Sequence, residues 1–164
     1  MAHQYRAGTV DEYTEYIELW DIGSSLLHRR ASSVFLEGAV GVIFVHDLTN
    51  KNSEVNLYSQ WLPMLSCERN HGLDSSITSL NDTPMYQPIF DVESTALPSL
   101  VVGCKVDLAP GRIASSRTLD SISVDARNPL TPGTSGYLTV TKFFDAVVKK
   151  TLAPVIHDRR RKYL

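Results

Sequence analysis

A carboxylate, a glycine and two serines close a hydrophobic, alternating run in YIELWDIGSS, Tyr16 to Ser25. Strand ends in α/β proteins are where ligands usually sit, so Asp21 and Gly23 are placed where chemistry could happen. A plain strand-to-turn transition, with Asp21 capping and Gly23 turning, accounts for the same residues. The histidines are His3, His28, His46, His71 and His157. No two are spaced i, i+3 or i, i+4, so a helical metal site is not expected. No G-x-S-x-G is present, which removes the strained serine elbow of the hydrolases. No repeat recurs at solenoid periods.

The elements that must position these residues follow from hydrophobic patterning. In EYIELWD, Ile17 and Leu19 face one way and Tyr16 and Trp20 the other, as in a strand buried on both faces. AVGVIFVHD (Ala39–Asp47) is a continuous apolar run, as in a central parallel strand. A third strand is expected over Leu100–Gly103, and a fourth around Ile122 and Val124. An antiparallel partner of the strand leading into Asp21 is expected upstream, through the RAGTVDEY turn. Thr134–Leu152 reads as a helix, with Tyr137, Val140, Phe144, Val147 and Val148 on one stripe and Pro154 beyond its end. A second helix is expected from Ser53 as N-cap, with Val55, Tyr58, Leu62 and Leu65 on its apolar face and a break at Pro63. A third is expected within Ser24–Gly38. Strands alternating with helices predict an open, mostly parallel α/β sheet. The stretch Ser66–Ser99 is polar, turn-rich and without periodicity, and reads as a flexible insertion, with a binding loop as the alternative.

The whole chain is ordinary for one soluble domain. It has 164 residues, 43% of them apolar and 21% charged, and a net charge of −2. That charge gives no reason to expect nucleic acid as a partner. Cys67 and Cys104 stand in no metal or redox spacing and are expected reduced, in a cytoplasmic setting. No apolar run approaches a membrane span. MAHQYRAGTV lacks the apolar middle of a signal peptide. The basic end Arg159, Arg160, Arg161, Lys162 has no cysteine to prenylate, so no stable membrane anchor is expected on these residues.

Three stretches in order, LWDIGSS, GVIFVHDLTNKNSEVNLYSQWL and VVGCKVDL, resemble a Ras-superfamily small GTPase, most similar to the Rab-like group. The resemblance runs from about His3 to the last helix. It implies a P-loop NTPase-like α/β fold: an open, mostly parallel sheet with flanking helices. It also implies GTP or GDP and magnesium as cofactors. In the family's D-x-x-G motif the Asp holds magnesium through water and the Gly N–H meets the γ-phosphate. Asp21 matches that Asp. Gly23 lies one place early, Ser24 takes the glycine's place, and Ser25 takes that of the Gln that orients the attacking water. Ser25 is too short for that role, so slow hydrolysis and no catalytic residue are expected. GCKVD resembles the guanine-reading N-K-x-D. Asp107 would accept guanine's two adjacent N–H donors, and Lys105 would lay its stem over the base. Cys104 replaces the Asn. SVDARNP stands in place of the S-A-K loop, where Ala126 can offer its N–H to the guanine oxygen while Asp125 and Arg127 depart from the pattern.

None of the nine glycines is followed by lysine, so no G-x-x-x-x-G-K-[ST] phosphate loop is present. The resemblance begins inside the family's second strand. The expectation is therefore a partial GTPase-like domain over residues 1–154 with a basic tail over 155–164, lacking the family's first strand and first helix. The absent strand belongs between the strands ending at Asp21 and Asp47, so two edges should be left unpaired. Losing about five charge-assisted hydrogen bonds removes about 8–15 kcal/mol, at about 1.5–3 kcal/mol each. That is the whole of a nanomolar affinity. Two functions are thus in view: a nucleotide switch acting on regulatory or effector proteins where a phosphate loop is supplied, and a nucleotide-independent interaction module or homodimer.

Overall fold

The structure, a computed structural model, describes residues 1–23, 25, 38–62, 97–116 and 119–161, with residues 153–161 as backbone alone. Strand β1 (Ala2–Tyr5) pairs antiparallel with β2 (Tyr13–Tyr16), as the RAGTVDEY turn predicts. Strands β3 (Val42–Asp47), β4 (Ser99–Cys104) and β5 (Asp120–Val124) form a separate parallel sheet in that order. Helix α1 (Lys51–Asn56) follows β3 and continues as a π-helical turn over Leu57–Trp61. A 3₁₀ turn, Val106–Leu108, follows β4, and the long helix α2 (Ser135–Arg161) closes the fold. A parallel sheet with flanking helices is the α/β architecture the patterning predicts.

The core has two sides because side chains alternate along each strand. Leu100 on β4 packs with Phe143, Phe144 and Val147 of α2, joined by Ile43 and Val102. Val101, one residue on, faces the opposite way and packs with Phe44 and Leu57, joined by Tyr58 and Leu62. The β1–β2 hairpin docks on α2: His3 Nε2 lies 2.8 Å from Asp145 Oδ1, and its ring stands 5.5 Å from that of Phe144.

Several expectations are corrected. The strand expected to end at Asp21 ends at Tyr16, and Leu19 and Trp20 are exposed rather than buried. The reason is pairing. The Ile17 N–H bonds the Met1 carbonyl, and beyond it no described strand lies alongside. The outer edge of β3 likewise faces no described strand, and Val45 there is exposed. Helix α1 starts earlier than expected. Asn50 is the N-cap, its side chain accepting from the Asn52 N–H at 3.0 Å. The Ser53 hydroxyl is engaged elsewhere, accepting the Asp47 N–H at 2.9 Å and facing the Asp47 and Asn50 carbonyls. Val55 is exposed, and Leu57 is buried in its stead. On α2, Tyr137 is exposed and Phe143 is buried. The helix also runs through Pro154 to Arg161, since a proline removes one helical bond without necessarily ending the helix. The helix expected within Ser24–Gly38, the break at Pro63 with Leu65, and nearly all of the Ser66–Ser99 stretch lie outside the described residues.

His46 on β3 is buried, and its Nδ1 has no hydrogen-bond partner among the described residues. Burial pushes its pKa below the ordinary 6.5; Arg112 adds to this, while Glu54 and Asp47 oppose it. Because the folded pKa is depressed, the stability contributed by neutral His46 is complete above the unfolded pKa and is lost as pH falls through the folded one. The urea midpoint should therefore fall between about pH 7.5 and about pH 5.5, and a His46→Gln variant should flatten that fall. An unaltered pH slope in the variant would contradict this.

Candidate functional site

The parallel register builds the site. Asp47 lies opposite Cys104, and Cys104 opposite Val124, so β3, β4 and β5 stop in one row. The residues that follow, Lys105 and Asp125, must emerge side by side at the carboxyl edge of the sheet. This is where open α/β sheets place their ligands. Gly103 makes the approach tight. A Cβ there would come within 2.8 Å of Leu48 Cδ2 and 2.9 Å of the Ala114 Cβ.

Lys105 leaves β4 in the left-handed region, at φ 64° and ψ 38°. A non-glycine residue holds that conformation only at a cost. Here its Nζ donates to Asp47 Oδ2 at 2.6 Å. The other oxygen, Oδ1, accepts from the Thr49 N–H at 2.8 Å and the Thr49 hydroxyl at 2.6 Å. The Lys105 bond, followed by the two from Thr49, lowers the Asp47 carboxyl to about 2. The same partner raises Lys105 above its ordinary value. Both groups are thus charged across the physiological range.

A second cluster adjoins the first. Asp107 lies in the 3₁₀ turn after Lys105, and Asp125 is the residue after β5. Arg127 joins them. Its Nε donates to Asp125 Oδ1 at 3.0 Å and its Nη2 to Asp125 Oδ2 at 3.1 Å. The same Nη2 donates to Asp107 Oδ2 at 2.7 Å. Asp125 also accepts from the Arg127 backbone N–H at 3.1 Å and from Asn128 Nδ2 at 2.7 Å. Its pKa is lowered, first by the Arg127 side chain and then by the Arg127 backbone bond. Ala126, between the two, is exposed, and its N–H has no partner among the described residues. Cys104 is half-buried and reduced, with its thiol pushed up by burial and then by the Asp47 charge.

The sequence-predicted residues therefore divide. Cys104, Lys105, Asp107, Asp125 and Ala126 come together at one sheet edge. Asp21 and Gly23 are exposed beyond the end of β2, and among the described residues no hydrogen bond joins them to that cluster; Ser24 lies outside the described residues. Among the described residues no group of three or more His, Cys, Asp or Glu side chains could hold a metal ion. No described helix is long and apolar enough to cross a membrane. Sequence reasoning missed the partners. Asp47 and Thr49 as the seat of Lys105, and Arg127 as a bridge between two carboxylates, are visible only once the strands are in register. The available signal was that two strands each end next to a charged residue, Asp47 and Lys105, of opposite sign.

No family model matches the chain. Individual relatives do. The chain is 32% identical to Rab-like protein 3 of Xenopus tropicalis over 97% of its own length and 75% of the relative's. It is 33% identical to Rab-like protein 3 of Homo sapiens, over 90% of the chain and 67% of the relative. It is 24% identical to Ras-related protein Rab-1 of Theileria parva, over 94% of the chain and 57% of the relative. Identity at this level across nearly the whole chain, on a parallel sheet with flanking helices, shows that the chain belongs to the Rab-like small GTPases of the Ras superfamily.

Proposed function

We propose that these residues form the base-reading half of a Rab-like guanine-nucleotide site. Lys105 supplies a stem for the base plane, Asp107 accepts guanine's paired N–H donors, and Ala126 offers an N–H to the guanine oxygen. Cys104 and Asp125 flank them without reading the base. Asp21, through water, is the magnesium remnant the resemblance assigns, and Gly23, one place short of the motif glycine, is what is left of the γ-phosphate contact. The observation that carries this reading is the shared row of strand ends, which delivers Lys105, Asp107 and Ala126 to one edge. GTP-dependent control of regulatory or effector proteins, in trafficking or signalling, needs a phosphate loop in addition to these residues. The 164 residues by themselves hold nucleotide too weakly to switch. A cytoplasmic setting suits the half-buried, reduced Cys104.

A second reading, a nucleotide-independent interaction module that binds other proteins or itself, is favoured by Ser25 at the water-orienting position and by the exposed Tyr16, Leu19 and Trp20. An NMR titration of the ¹⁵N-labelled chain with GMP separates the two. The base-reading site predicts shifts at the amides of residues 104–107 and 125–127 with affinity near millimolar, about 4 kcal/mol. Shifts confined to other residues, or none, would leave the interaction module as the better account.

A further inference from the structure

Asp107 is not an open acceptor. Its Oδ2 takes the Arg127 Nη2 at 2.7 Å, which leaves the Asp107 side chain 21% exposed although its backbone stands open. Arg127 is held from behind by the two-point bond to Asp125, which the Arg127 N–H and Asn128 in turn fix. The nearby cation does not compete for Asp107, because Lys105 is committed to Asp47 at 2.6 Å. A guanidinium is planar and presents N–H donors to a carboxylate in the way that guanine's N1–H and N2–H edge does.

We infer that Arg127 is a built-in occupant of the base-reading site: anchored on Asp125, it spends an N–H on the Asp107 oxygen that a guanine base would need, so guanine binds only by displacing it. The inference rests on the base-reading role proposed for Asp107. Asp125 is then a positioning residue, not one that touches the base. The loop that carries Arg127 becomes a latch, closed in the nucleotide-free chain and opened by a guanine base. The latch discriminates by chemistry. Adenine has no adjacent pair of N–H donors to offer the carboxylate in exchange, so it gains nothing from the opening.

The test is the preference for GMP over AMP, measured by NMR titration of the chain and of its Arg127→Ala and Asp107→Ala variants. Using a ratio cancels the loss of attraction between Arg127 and the shared phosphate. Arg127 is 73% exposed, so its removal leaves the core intact. The preference should rise about two- to fivefold in Arg127→Ala, the equivalent of one exposed ion pair. It should vanish in Asp107→Ala. An unchanged or lower preference in Arg127→Ala, with the loss in Asp107→Ala retained, would overturn the latch and leave the base-reading site standing. No preference for GMP in any of the three proteins would overturn the base-reading site, and the latch with it.

Discussion

Phe144→Ala is expected to cost about 3–5 kcal/mol of folding stability, the usual range for a buried phenylalanine. Phe144 is 6% exposed and sits where three elements meet. It belongs to the cluster of Leu100, Phe143 and Val147, stands edge-on to Phe143 at 5.1 Å, and packs against the His3 ring of β1 at 5.5 Å. Alanine would leave a cavity under β4 and remove the surface on which the hairpin rests. Domains of this size are stable by only about 5–15 kcal/mol, so the variant should stand near its threshold. Urea unfolding checks this, with Leu138→Ala on α2, an exposed residue, as a control expected within about 0.5 kcal/mol of the parent. A loss below about 1 kcal/mol for Phe144→Ala would mean that hairpin, sheet and helix do not share this core.

What the sequence disclosed, and what it hid, separates along physical lines. The three parallel strands were legible because AVGVIFVHD and SLVVGCKVD are apolar on both faces, DSISVDA alternates Ile122 and Val124 with serines, and all three run out into charged or turn residues. The α2 helix was legible from its stripe, apart from Tyr137, exposed in the first turn, and Phe143, which widens the buried face beside Val140 and Val147. The strand toward Asp21 misled for a reason that patterning cannot show. Residues 17–21 have strand-like alternation, but a strand exists only beside a partner, and none is described there. The start of α1 misled because Ser53 and Asn50 are both capping residue types, and only the fold commits the Ser53 hydroxyl to the end of β3. In the candidate site, Lys105 and Asp107 were singled out by motif. The ion pairs that occupy them join residues 58 and 20 positions apart, respectively, and depend on register.

The proposed base-reading edge stands without the G-x-x-x-x-G-K-[ST] loop that would grip phosphate. Guanine recognition by a few hydrogen bonds and one face of stacking is worth about 4 kcal/mol, which corresponds to a millimolar dissociation constant. Nanomolar binding requires about 12 kcal/mol, and the difference is what a cradle of backbone N–H groups and a lysine supplies to the phosphates. Lys105 cannot be that lysine, since its Nζ is held by Asp47 at 2.6 Å and its stem is assigned to the base. Arg127, even when a guanine base displaces it from Asp107, stays anchored on Asp125 and is a single exposed side chain, not a cradle. Adding phosphates to the ligand should therefore add little, and GTP, GDP and GMP should bind this chain with similar weakness. Calorimetric titration of the 164-residue chain at micromolar concentration with GTP or GDP in the presence of magnesium measures this directly. The account predicts no saturable heat and no turnover, and a dissociation constant below about 10 μM for either nucleotide, roughly 7 kcal/mol, would contradict it.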